Sequence, residues 1–232
     1  LGKAVVPAAR VSAVVLNVTV TSGTAATYLT AWAGGTRPGV STVNVVAGED
    51  AGAMIQVGTD AAGRVSVYNS KGSIDIVVDV EGYYLTPDQD ARNYFVPITP
   101  TRVYSTPAGL NAQAVPMAPG STASVAIRGA KNGATTVVPN DASISAVVAS
   151  VTAVTPSGDG TMTVFPEGVA RPLASILNFN SFTANITGTA IAKIGANGRI
   201  STWVKGGSPG LIVDVQGYFQ SSPPPAPPAP AL

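Results

Sequence analysis

The chain is a duplication, and this restricts its fold more than any other feature of the sequence. VSAVVLNVT at 11–19 recurs as ISAVVASVT at 144–152, and Arg37-Pro38 followed by Asn44 recurs as Arg171-Pro172 followed by Asn178. GRVS at 63–66 returns as GRIS at 198–201, and IVVDVEGYY at 76–84 returns as LIVDVQGYF at 211–219. The spacing between matched positions barely drifts, so one repeated unit accounts for nearly the whole chain. Whatever buries the apolar residues of one repeat must work again in the other.

Within each repeat apolar residues recur at alternate positions, and no useful stretch has a helical period. Val14, Leu16, Val18 and Val20 form one face of a strand, with Val15, Asn17 and Thr19 on the other. Further strands are predicted over 28–32, 41–46, 54–57, 65–69 and 74–80, divided by turn signals such as AGGT at 33–36 and DAAG at 60–63. Strands of this length and spacing predict an all-β chain of two tandem antiparallel β-sandwich domains, with a β-barrel or trefoil-like arrangement as the alternative. The register sends Val14, Leu16 and Val18, with their counterparts Val147, Ala149 and Val151, into the core, because a slip of one residue would turn these strands inside out.

The first sandwich is placed at 1–87, a linker at 88–93, the second sandwich at 94–220 and a Pro/Ala-rich tail at 221–232. The second repeat carries an extra leading part at 94–139, with FVPITPTRV at 95–103 and an alternating segment at 121–128, whereas only residues 1–10 precede the matching point of the first. The first repeat therefore lacks its leading strands, which are expected upstream in a longer parent protein or replaced by another segment. Its sheet edges are expected to stay open to strand addition, in a homo-oligomer or filament of neighbouring copies. The tail, SSPPPAPPAPAL, favours an extended polyproline II spacer. A start at Leu1 without a signal-peptide pattern predicts a processed product or a segment of something longer.

Composition narrows the chemistry. The chain contains no histidine and no cysteine, which excludes imidazole bases, thiol nucleophiles, disulfides, iron–sulfur clusters and the common zinc, copper and haem sites. Thirteen Lys and Arg against twelve Asp and Glu leave a net charge of +1, too little field to hold nucleic acid. No apolar run reaches the roughly 20 residues that span a bilayer, so membrane insertion is not expected. No cofactor or metal is expected either.

The carboxylates are the remaining acid–base material. Asp75, Asp79 and Glu81 share one strand face by alternation, which would suit a glycosidase pair about 5 to 9.5 Å apart. The second repeat argues against this, since Glu81 becomes Gln216 and the place of Asp75 falls in GSPG at 207–210. Only Asp79 and Asp214 persist, alongside the repeated pairs Arg37/Arg171 and Arg64/Arg199. These six residues are read as structural charges or hydrogen-bond anchors, and no catalytic residue is assigned. The aromatics are the candidate ligand-binding residues. Alternation places Trp32 and Tyr68, and Phe165 and Trp203, on the Thr/Ser faces of their strands, where flat rings beside hydroxyls suit a sugar or a protein partner. The same rings equally suit a covered strand surface, the underside of a loop or a contact between the repeats.

Taken together, VSAVVLNVTV at 11–20, the Arg-Pro and Asn positions, GRVSVYNS at 63–70 and VDVEGYY at 78–84 resemble a repeat module found in many secreted and cell-surface proteins of actinobacteria. Members of that family typically open with Pro-x-Arg-Leu-Leu-Asp-Thr-Arg, whereas this chain has PTRVYSTP at 100–107 and so lacks the Asp and the second Arg. The resemblance implies an extracellular or cell-surface location and carries no general activity. The expected function is a non-enzymatic structural, adhesion or assembly module. The alternative is a carbohydrate-binding accessory domain of a secreted hydrolase, with a cell-wall or polysaccharide glycan as partner.

Overall fold

A computed structural model describes residues 6–7, 10–86, 94–173, 175–182 and 184–221; the expected linker at 88–93 and the tail beyond Ser221 lie outside them. The predicted alternation is realised as strands throughout, and no helix forms among the described residues. In the first repeat β1 (Val11–Thr21), β4 (Ala51–Gly58) and β6 (Asp75–Leu85) form one sheet in the order β4-β1-β6. Facing it is a sheet of β2 (Thr27–Trp32), β3 (Val43–Val45) and β5 (Ser66–Asn69) in the order β3-β2-β5.

The second repeat contains β7 (Tyr94–Ser105), β8 (Thr122–Ala126), the short hairpin of β9 (Lys131–Asn132) and β10 (Thr135–Thr136), and β11 (Ile144–Val154). It continues through β12 (Gly160–Pro166), β13 (Leu177–Phe179), β14 (Asn185–Lys193), β15 (Arg199–Gly206) and β16 (Gly210–Gln220). Its two main sheets run β14-β11-β16-β7 and β13-β12-β15-β8. All pairings are antiparallel, and the sheets stay open rather than closing into the alternative barrel.

The register follows the alternation. Val14, Leu16, Val18 and Val20 of β1 join Leu29, Ala31, Val43, Val45, Ile55 and Val57 in one core. Val147, Ala149, Val151 and Ala153 of β11 join Met162, Ile200, Val204, Leu211, Val213 and Val215 in the other. A β-bulge recurs at the same place in both. Val15 faces Gly82 while Leu16 faces Val80, and Val148 faces Gly217 while Ala149 faces Val215, which leaves Glu81 and Gln216 without a cross-strand partner. The bulge therefore breaks the simple alternation that grouped Glu81 with Asp79.

The repeats meet through the outer faces of their β1- and β11-containing sheets. Val148, Ser150 and Gln216 are buried although the core of their own sandwich lies on the other side of the sheet. Ala13, Phe95 and Val148 form a small separate core with Tyr84 and Phe219 packed on it. The ring of Phe95 lies 4.8 Å from that of Tyr84 and 5.3 Å from that of Phe219, close enough for favourable tilted aromatic contacts across the junction. The Tyr84 hydroxyl donates to Gln56 Oε1 at 2.6 Å, and burial pushes this phenol above its ordinary pKa.

Candidate functional site

The four candidate rings lie on the Thr/Ser faces. Trp32 stands opposite Ser66 and Tyr68 opposite Thr30; Phe165 stands opposite Ser201 and Trp203 opposite Thr163. Loops then fold over those faces. Thr30 Oγ1 donates to the Val40 carbonyl, and Thr42 Oγ1 accepts from the Ala31 amide, so residues 33–42 are tied down across the sheet. The Arg37 guanidinium sits 4.0 Å above the Tyr68 ring, and Arg171 sits 3.8 Å above Trp203 in the corresponding place. Trp32 Nε1 donates to the Gly35 carbonyl and Trp203 Nε1 to the Gly120 carbonyl, while Phe165 is buried. A sugar stacking on the covered face of Tyr68 or Trp203 would have to displace the chain's own guanidinium. As placed, these residues anchor loops.

The charged anchors pair differently from the sequence expectation. Arg102 of β7, which was not singled out, holds Asp214 with Nε on Oδ1 at 2.8 Å and Nη2 on Oδ2 at 3.2 Å. The Asp214 side chain is 1% exposed, and burial pushes its carboxyl above the ordinary value while Arg102 opposes that shift. Arg64 instead bonds Asp60 at 3.1 Å, and Arg199 lies 3.3 Å from Glu167 and donates to Ser124. The expectation that Asp79 is anchored within its own repeat is corrected: it is exposed and has no hydrogen-bond or ion-pair partner among the described residues. The reason is topological, because among the described residues no strand equivalent to β7 lies beside β6.

That gap is the dominant feature of the first repeat. Strand β16 pairs with both β11 and β7, and β15 with both β12 and β8; their counterparts β6 and β5 each have one neighbour among the described residues. Ile76, Val78 and Val80 stand opposite the core residues Val20, Val18 and Leu16, yet are 39%, 44% and 45% exposed. Their counterparts Leu211, Val213 and Val215 are each 0% exposed. On the facing sheet Val67 is 42% exposed where Thr202 is wholly buried. An apolar strip thus lies beside a β6 backbone edge whose outward N–H and C=O groups have no strand partner among the described residues. The clue in the sequence was the unequal length of the two leading parts.

A second feature is a cleft of about 630 Å³ between the repeats. Its lining mixes amides and hydroxyls, among them Asn44, Asn178, Asn185 and Thr187, with apolar residues such as Val43, Met54 and Ile176, and Glu49 and Asp50 stand at its wall. Asn44 Nδ2 donates to Thr187 Oγ1 across the junction. The described residues contain no group of three or more acidic side chains able to hold a metal ion.

No protein-family model matches the chain. No curated protein matches it significantly. Among solved structures, the N-terminal CBM22-1–CBM22-2 tandem domain of Xyn10C from Paenibacillus barcinonensis overlaps 92% of this chain and 80% of its own, at 12% identity and a TM-score of 0.24. A structure of infectious bursal disease virus, Gx strain, overlaps 91% of this chain and 62% of its own, at 9% identity and a TM-score of 0.21. Scores this low do not establish a shared fold.

Proposed function

We propose that the chain is a non-enzymatic assembly module of an extracellular or cell-surface protein, which attaches to a partner through the open side of its first repeat. The observation that carries this reading is the contrast between Val78 and Val80, 44% and 45% exposed, and Val213 and Val215, which are sealed. Core-facing valines at the surface beside a strand edge that is unpaired among the described residues form a surface that a further segment or chain can cover. The resemblance of the repeat signature to secreted actinobacterial modules supports the location.

A second reading, glycan binding, draws on the cleft rather than on the four rings. Phe182 is 95% exposed in the turn between Asn180 and Asn185, both of which line the cleft, so an open aromatic adjoins an amide-rich groove. A glycan array run beside light scattering separates the two readings. An assembly module shows no saturable sugar binding, and its association with partners or copies is lost in Val78→Lys/Val80→Lys at unchanged melting temperature. Saturable binding to a polysaccharide that survives this double substitution and is lost in Phe182→Ala would replace the first reading with the second.

A further inference from the structure

We infer that the cleft between the repeats is a docking groove for an extended peptide segment of a partner protein, one that bears a lysine or arginine beside an apolar residue and is gripped by both repeats at once. This goes beyond the assembly reading and uses neither the edge of β6 nor the four rings.

The duplication builds the walls of this cleft twice over. From the first repeat β3 and β4 supply Asn44 and residues 51–54, and from the second β13 and β14 supply Asn178 and residues 185–189. Asn44 and Asn178 are the matched asparagines of the two repeats, so one cleft collects the same side chain from both. Each of the four strands stands at the end of its sheet among the described residues. In the second repeat the leading strands β7 and β8 join β16 and β15, at the opposite ends of the sheets from β14 and β13. The cleft therefore lies on the side of a repeat that leading strands do not occupy, whatever accompanies β6 and β5. It is also at the far end of the strands from the segments outside the described residues. Gly52 pairs with Thr19 and Thr187 with Thr152, whereas residues 1–5, 8–9, 87–93 and 222–232 connect at the other end, next to the pairs Val11–Leu85 and Ile144–Gln220.

The chemistry of the lining selects the ligand. Terminal strands present N–H and C=O groups with which an extended backbone can pair, and the side-chain amides add donors and acceptors of the same kind. Val46 and Met54 are 42% and 44% exposed at the wall, apolar ground for a side chain of that segment. Glu49 and Asp50 are exposed and have no ion-pair partner among the described residues, and no Lys or Arg lines the cleft. The one cation close by, Lys71, lines an adjoining recess that shares Asn44 and Asn185. A cationic side chain seated at Glu49 and Asp50 thus meets two uncompensated carboxylates. A neutral glycan would leave both carboxylates and the Met54 side chain unused. A peptide with an apolar residue beside a lysine or arginine uses all three.

The test uses the full chain and a positional-scanning library of fluorescent hexapeptides, with one position fixed in each pool, titrated by anisotropy while hydrogen exchange is followed over 51–54 and 185–189. Pools fixed with lysine or arginine should bind saturably and slow exchange in both segments, and pools fixed with aspartate or glutamate should not bind. Binding should weaken about fivefold in Glu49→Gln/Asp50→Asn, as the loss of two exposed charges warrants, and should fall with added salt. Because both positions are exposed, the double variant keeps the wild-type melting temperature. Absence of saturable binding in every pool at millimolar peptide overturns the proposal, as does binding indifferent to the double variant or protection confined to one repeat. A neutral polysaccharide that protects the same two segments overturns it in favour of a glycan. Self-association that is lost in Glu49→Gln/Asp50→Asn overturns it in favour of a second copy. Val78→Lys/Val80→Lys leaves the cleft untouched, so that variant tests the assembly reading alone.

Discussion

Arg102 grips Asp214 through two parallel hydrogen bonds, at 2.8 Å and 3.2 Å, across the seam between β7 and β16. A planar guanidinium matched to both carboxylate oxygens is the geometry in which a buried charge is best tolerated. Arg102→Ala is expected to cost about 3 kcal/mol near neutral pH, because it leaves a sealed carboxylate without its cation. Asp214→Asn, which removes the charge itself, should cost less. Urea denaturation of both variants checks the order, and equal losses would remove the ion pair from the account of stability.

The same carboxyl sets a pH dependence. Burial holds its folded-state pKa above the ordinary value. The folded chain thus binds this proton more tightly than the unfolded one. The contribution of the group is most favourable below the unfolded carboxylate pKa of about 4, and is lost as pH rises through the folded value. The stability of the wild type relative to Asp214→Asn should therefore fall from pH 4 upward. A relative stability that rises over that range would show that the arginine outweighs desolvation.

Equivalent valines should respond unequally to one substitution. Val215→Thr buries a hydroxyl in a closed core and is expected to cost about 1 to 3 kcal/mol. Val80→Thr changes a half-exposed position and should stay within about 0.5 kcal/mol. Chemical denaturation of the pair reads the difference directly. Similar losses would mean that the edge of the first repeat is sealed in solution.

The two bulge glycines offer a parallel contrast. Gly217→Ala pushes a methyl into the Phe95 ring and should destabilise by about 1 to 3 kcal/mol, as overpacking does. Gly82→Ala meets only the Val15 side chain, at an ordinary contact distance of 3.9 Å, and should leave the melting temperature in place. Calorimetry of both tests the pair.

Arg37 and Arg171 should hold their loops through the rings beneath them. Each Arg→Ala is expected to cost about 0.5 to 1 kcal/mol and to speed proteolysis of the adjoining loop. In a Trp32→Phe background the emission of Trp203 should shift to the red when Arg171 is removed. Unchanged emission would mean that the guanidinium does not rest on that ring in solution.

Much of this molecule was legible before any tertiary structure. Alternation alone assigned Val14, Leu16 and Val18 to a core face, because the side-chain period of a strand leaves two options and only one buries them. Self-comparison located the second sandwich and the unequal leading segments. Alternation also placed Trp32, Tyr68, Phe165 and Trp203 on the Thr/Ser faces, but not under loops, since the path of a loop such as 33–42 depends on contacts like Thr30 to Val40 that no period encodes. Nor could it find the partner of Asp214, which lies 112 positions away on a neighbouring strand. The clearest case is VDV, which occurs at 78–80 and again at 213–215. Identical residues lie in an open edge in one repeat and a sealed core in the other. Local sequence determined which face the valines of VDV take; only the strand alongside decided whether that face meets water, because burial belongs to the assembled sheet and not to the strand.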